Sequence, residues 1–322
     1  MDNSPTTDQR YPPHSSGAAA GWVRICAMLL VCGLALGGCS VRQMAAGAAA
    51  DAIAGSGSSY AADDDIEFIG LATPFALKTT EGLLEQVPRH RDLLLAAARG
   101  FTQYAYVYVE QPADALEERD VDLAYAERGR ARRMYLRARD YGLRGLAVAN
   151  PAVAEELRVA PGAALATTTP EDVPLLYWTA AAWASAISLG KDDPALIADL
   201  PIVEQLIRRA LELDESYDHG AIHVFLISYE TSRSGLSEST VDRVRHHFRR
   251  AVELSEGLQA APYVAMAEAV SVALQDRDEY RRLLGSALDI DVDARPEWRL
   301  ANLVMQRRAR WLLTRQDHLF LE

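Results

Sequence analysis

Cysteine is scarce in this sequence, with three residues among 322, at positions 26, 32 and 39. That leaves no basis for a disulfide framework or a paired-cysteine zinc site. Positive charge is in deficit: 33 Lys and Arg stand against 45 Asp and Glu, a formal net charge of -12. A general nucleic-acid binder needs a basic face, so that class is excluded. Docking on a bare anionic membrane is unfavourable for the same reason. Catalytic signatures are missing too. There is no P-loop, no Gly-rich dinucleotide motif and no Gly-x-Ser-x-Gly elbow. The many acids fall where helix surfaces are expected, and solvation explains them. No enzymatic activity and no cofactor are therefore expected. Sustained period-two alternation flanked by hairpin turns is also absent, which argues against strands. What remains is 49% hydrophobic and 24% charged, the composition of a folded chain. Its length can bury a sizeable core without disulfides or a metal.

The N-terminus carries one apolar run, Ile25 to Gly38, of 14 residues. A bilayer span needs roughly 20, whereas a signal-peptide core is this short. Arg24 supplies the positive flank. The run ends in Leu36-Gly37-Gly38-Cys39, which resembles a bacterial lipobox. The resemblance implies cleavage before Cys39 and lipidation of its thiol, with membrane contact through lipid only. Cys26 and Cys32 would leave with residues 1–38. A plain cleaved signal peptide or a buried core segment is the alternative. Ser40 after Cys39 points to the inner leaflet of the outer membrane, where Asp would retain the protein at the inner membrane. Met1 to Gly21 is long and polar, and translation is expected to start later, near Val23. Ser40 to Asp65 is rich in Ala, Gly and Ser and reads as a flexible tether over 39–65.

From residue 66 to 322 the pattern predicts one helical domain. Helices are expected over Thr73–Glu85, with Pro74 in the first turn, then Pro88–Glu110, Asp120–Tyr141, Pro174–Leu189, Pro201–Leu213 and Gly220–Ser232. Others follow over Ser239–Gly257, Ala261–Leu274, Glu279–Ile290 and Pro296–Arg315. Pro151 to Pro174 reads as a long loop with a short helix near Ala154–Arg158. Gly190, Gly235 and Gly257 stand where caps or turns belong. One phrase recurs: Ile207-Arg208-Arg209-Ala210-Leu211-Glu212-Leu213, then Phe248 to Leu254, then Leu284 to Ile290, with a weaker copy at Tyr135 to Tyr141. The central alanines Ala210, Ala251 and Ala287 are 41 and 36 residues apart. A large apolar group, Ala three residues on and a further apolar group form one helix stripe, and the small Ala admits a close neighbour. This resembles the second helix of a tetratricopeptide unit, whose standard period is about 34. The usual Leu-Gly pair and the closing proline are missing. The expected fold is all-α, built of tetratricopeptide-like antiparallel helix pairs; a helical bundle without repeats is the alternative.

Several phrases together resemble the TRAP transporter T-component family, the TatT-like periplasmic lipoproteins. They are Tyr135 to Leu143, Asp172 to Trp183, Leu189 to Asp193, Ala210 to Asp214, Gly220-Ala221-Ile222-His223 and Arg307 to Leu313. The resemblance covers about residues 66–322. It implies a lipid-anchored helical-repeat protein that associates with the solute-binding protein of a tripartite ATP-independent periplasmic transporter. It further implies homotrimers in similar proteins, and a hollow that holds or passes an apolar small molecule.

Within that frame the ligand candidates are Tyr104, Tyr108, Trp178 and His223. An aromatic ring with one polar edge suits an apolar ligand with an acid or alcohol head. Tyr177, Trp183, Tyr229 and Trp311 belong to the same aromatic set, and ordinary helix contacts account for most of it. His219 and His223 have a spacing that can hold zinc, but no third ligand is near in sequence, and Asp218 or Glu230 lack support. His246 and His247 are adjacent and make a poor chelate. A structural or assembly lipoprotein of the outer membrane, with a filled interior, is the competing function.

Overall fold

The computed structural model describes residues 44–234 and 237–321, without the side chains of Arg233 and Ser234. Cys39, its expected lipidation and the proposed signal segment 1–38 lie outside the described residues, as does Gly235. Contacts divide the chain into Met1–Ala48 and Ala49–Glu322. Of the first unit only residues 44–48 are described, and they are helical.

The second unit is all-α, with no strand among the described residues. Its long helices are α1 Ile66–Gln86, α2 Arg91–Ala105, α3 Val121–Leu146, α4 Val173–Ser188, α5 Leu200–Leu213, α6 Ala221–Ser234 and α7 Glu238–Leu254. The six-residue α8, Ala261–Met266, then leads to α9, Arg277–Leu288, and α10, Arg299–Thr314. Neighbours in sequence pack side by side: α1 on α2, α2 on α3, α3 on α4, α4 on α5, α6 on α7, α8 on α9 and α9 on α10. The largest core joins α3, α4, α5 and α6 around Tyr135, Trp183, Leu206 and Ile222. Each such side chain, fully buried, contributes roughly 1.5–3 kcal/mol. Ala138, Ala210, Ala251 and Ala287, the alanines of the recurring phrase, all have no exposed surface.

The last long helix returns to the first elements. α10 touches α1 and the helical turn Gly57–Ala61. Arg299 donates to the Ala62 carbonyl at 2.8 Å, Arg307 pairs with Glu67 at 3.1 Å, and Arg315 pairs with Glu118.

Several boundaries differ from the sequence reading. Part of the stretch read as a tether is helical, over 44–55 and Gly57–Ala61. Ala50 is buried against Leu84, Leu93, Leu94 and Ala97. α1 begins seven residues before Thr73, because Asp65 caps it, accepting from the Phe68 amide at 2.9 Å. That capping bond satisfies an orphan donor of the first turn. Pro74 is then inside the helix, where it removes one backbone bond to residue 70. The Pro88–Glu110 segment is α-helical only to Ala105 and continues as a π-helical turn, Tyr106–Glu110. The Ala261–Leu274 segment likewise passes into a π turn, Ala267–Ser271. A π turn inserts one extra residue per turn and has no sequence signature comparable to a cap.

α1 leaves an apolar stripe uncovered. Phe68, Leu71 and Phe75 are 60%, 82% and 79% exposed, and their spacing puts them on one helix face. Among the described residues no helix is long and apolar enough to cross a membrane.

Candidate functional site

An aromatic cluster forms where α4 meets the turn before α6. α4 supplies Tyr177 and Trp178, whose rings stand edge to face at 5.1 Å. The turn Tyr217–His219 supplies Tyr217, 5.4 Å from Tyr177, and Asp218. Asp218, His219 and Gly220 are all left-handed, with φ of 44°, 54° and 99°. Asp tolerates this region better than most residues, yet each non-glycine here costs about 1–2 kcal/mol. At residue 220 a Cβ would lie 3.0 Å from the Ala251 Cα, so α7 packs directly on the turn.

Electrostatics place Asp218 and Arg99 of α2 in this group. The Asp218 carboxylate raises the Tyr177 and Tyr217 hydroxyls; His219 and then the Arg99 guanidinium lower Asp218, and Arg99 also lowers Tyr217. Burial is nonetheless the leading cause in all three. It pushes Tyr217 up to about 12, Tyr177 further, and Asp218 above the usual carboxylate range. By accessible surface Asp218 is exposed, while Arg99, Tyr177, Trp178 and Tyr217 are half-buried. Arg99 and Asp218 make no hydrogen bond and no ion pair, with each other or with any other described residue.

The two π turns build a second polar group. Each widened turn carries a carboxylate, Glu110 and Glu268. Arg308 of α10 reaches Glu268 at 2.7 Å and Asp114 at 2.9 Å. Arg128 also holds Asp114, at 3.0 Å. The Tyr135 hydroxyl donates to Glu110. Burial outweighs that bond and pushes Glu110 up to about 7; burial also raises Glu268 against the pull of Arg308. The neighbouring Gln111 side-chain nitrogen is buried without a partner. Glu110, raised to about 7, can take up or release a proton near neutral pH.

The four ligand candidates fall in three places. Trp178 stands in the aromatic cluster with Tyr177. Tyr104 and Tyr108 pack on each other at 5.3 Å, and the Tyr108 hydroxyl donates to the Ile66 carbonyl at 2.7 Å. His223 is 2% exposed; its Nδ1 meets the His247 Nδ1 at 2.9 Å and its Nε2 meets Glu215 at 3.1 Å. His219 instead stacks edge-on against Trp298. Among the described residues no three such ligands converge on a metal-sized space. Arg99 was not a candidate from sequence, because a charged residue on a helix face is ordinarily solvated. Its location beside Gly57 is a tertiary fact: a Cβ on Gly57 would lie 2.6 Å from the guanidinium.

Helix-on-helix packing, with no strand among the described residues, defines an all-α scaffold. The family model for the TRAP transporter T-component matches residues 62–320, and the chain belongs to that family. An uncharacterized protein of Treponema pallidum (strain Nichols) is similar, 26% identical over 318 residues, with 93% of this chain and 98% of that protein covered. Family membership makes the protein an accessory component associated with a TRAP transporter.

Proposed function

We propose that this protein is a periplasmic, lipid-anchored accessory component that docks a TRAP transporter's solute-binding protein and binds an apolar small molecule. The family match over 62–320 is the observation that carries the reading. The lipobox ending at Cys39 supports anchoring at the inner leaflet of the outer membrane, and the repeated phrase supports a tetratricopeptide-like scaffold. The uncovered stripe Phe68, Leu71 and Phe75 supports docking, because contiguous exposed apolar side chains mark interaction surfaces. It lies on the first long helix after the anchor.

Photo-crosslinking tests the docking. Lys78 and Lys191 are the only lysines, so amine-reactive reagents report little. A photoreactive residue at Leu71 in intact cells is expected to capture a periplasmic solute-binding protein. Capture of outer-membrane assembly factors alone refutes it. For the anchor, Cys39→Ser is expected to abolish fatty-acid labelling and release the protein from membranes; unchanged labelling refutes lipidation at Cys39.

A further inference from the structure

We propose that the arginine face of α3 is a docking surface for a carboxylate-rich face of the transporter's solute-binding protein. The inference rests on the docking half of the function proposed above and names the chemistry of the contact. α3 carries seven arginines against three acids in its 26 residues, within a chain whose net charge is -12. Positive charge so concentrated on one helix of an acidic protein selects an acidic partner and steers its approach.

The geometry has four parts. Arg133, Arg137 and Arg144 line an open groove of about 440 Å³ with Leu136, Asp140 and Tyr141. Their spacings of four and seven put the three arginines on one face, in a row about 16 Å long. A small acid would occupy only part of that row, whereas a protein segment with several carboxylates matches it. Second, the row is held in place. The Phe101 and Tyr141 rings stack at 5.9 Å, with Arg137 over Phe101 and Arg144 over Tyr141, each 5.2 Å from the centroid. Arg137 also meets Glu81 at 3.1 Å, and Arg144 donates to the Pro88 carbonyl at 3.3 Å. Each guanidinium has five N–H donors, so both keep donors for carboxylates while losing little freedom on binding. Third, Arg133 is exposed and makes no hydrogen bond or ion pair with another described residue. Fourth, the row continues into the uncovered stripe of α1. Glu81 of α1 accepts from the Tyr141 hydroxyl at 2.7 Å and pairs with Lys78 at 2.7 Å. Lys78 follows Phe75 by three residues and Leu71 by seven, on the same face of α1. An apolar stripe beside a cationic row has the make-up of a protein interface, an apolar centre with a polar rim. A phospholipid surface fits less well: the net charge of the chain repels it, and Asp140 interrupts the row, which suits charges fixed on a protein and not a uniform anionic sheet.

A photoreactive residue in place of Asp140, which keeps every arginine, tests the surface in intact cells alongside the one at Leu71. It is expected to capture the same solute-binding protein, with the crosslink mapped by mass spectrometry to a segment rich in Asp and Glu. The captured protein is then purified and titrated against the full chain in detergent. Its affinity is expected to fall about tenfold or more as sodium chloride rises from about 50 to about 300 mM. Arg133→Glu combined with Arg144→Glu is expected to weaken binding about tenfold or more, mainly through slower association, and to flatten the salt dependence. Arg133→Glu alone breaks no contact within the chain, so its effect is read on an intact fold. Arg249→Glu makes the same charge change at an exposed arginine of α7 and is expected to change affinity less than about twofold. Capture at Leu71 with none at Asp140 overturns this inference and leaves the docking intact, as does an affinity that neither reversal nor salt alters. Capture at neither position ends both. A phospholipid adduct at Asp140 in place of a protein assigns the face to the membrane and overturns the inference.

Discussion

Gly142 offers a sharp test of how closely α3 and α4 approach. Replacing a helix-interior glycine by alanine ordinarily stabilises by about 1 kcal/mol, because alanine restricts the unfolded chain and glycine does not. Gly82 in α1 and Gly285 in α9 are such ordinary cases, with open space around the added methyl. At residue 142 the added carbon would overlap the Thr179 hydroxyl and stand 3.0 Å from its Cβ and 3.3 Å from its Cα. Thr179 cannot turn away: it is fully buried, and its hydroxyl donates to the Leu175 carbonyl at 2.5 Å. Either that bond breaks or the helices separate. Overpacking of this kind costs typically about 1–3 kcal/mol. The expectation is therefore a gain of about 1 kcal/mol for Gly82→Ala and a net loss of up to about 2 kcal/mol for Gly142→Ala. Urea unfolding followed by circular dichroism reads both as midpoint shifts at constant slope. Thr179→Ala in the Gly142→Ala background is expected to recover part of the loss, a coupling that distant sites do not show. Equal stabilisation by Gly82→Ala and Gly142→Ala would refute the close helix contact.

Other expectations follow from the buried ionisable groups. Glu110 is raised from 4.5 to about 7, chiefly by burial. The folded state therefore holds a proton that the unfolded state releases, and stability falls as pH rises from about 4.5 through 7. Glu110→Gln should flatten that slope and leave the chain about 2–3 kcal/mol less pH-sensitive across the window; an unchanged slope in pH-dependent urea unfolding counts against a buried Glu110. His247 is lowered to about 4, first by burial and then by His223 and His246, with Arg208 and Arg243 adding to the repulsion. Stability contributed by the neutral His223–His247 pair is thus full above about pH 6.5 and lost as pH falls toward 4; ring-proton NMR titrating His247 at an ordinary value refutes this. Removing Arg308 leaves Glu268 and Asp114 without a shared cation. Arg308→Met is expected to cost about 3–5 kcal/mol, and Arg308→Met with Glu268→Met much less; equal losses in the single and double variants argue against a desolvated pair.

Local signals were readable wherever one residue and its neighbours decide the outcome. The alanines at 138, 210, 251 and 287 were legible as close-packing positions, because a small residue between large ones on one stripe has few other uses. Helix ends were legible where a hydroxyl or acid could cap, as at Asp120, whose side chain accepts from the Leu123 amide at 2.9 Å. The start of α1 was misread because Pro74 looked like a first-turn residue, while the Asp65 cap stood inside a composition that suggested a tether. The aromatic cluster and the charges near it were half legible. Trp178 was picked out as an amphipathic ring, but Arg99 on α2 and Asp218 in the turn lie 119 positions apart in the sequence. No local pattern pairs them.

The sequence by itself determined the all-helical class, the positions of most helices and the family. Period, caps and small-residue spacing are properties of a few consecutive residues, and helices form from local contacts. Tertiary structure alone decided which side chains lose water. The return of α10 to the first helices, the widened turns at Glu110 and Glu268 and the packing of the Arg99 guanidinium beside Gly57 depend on packing between distant segments. Desolvation, which sets the charge and reactivity of those groups, depends on every atom around them and not on their neighbours in the chain.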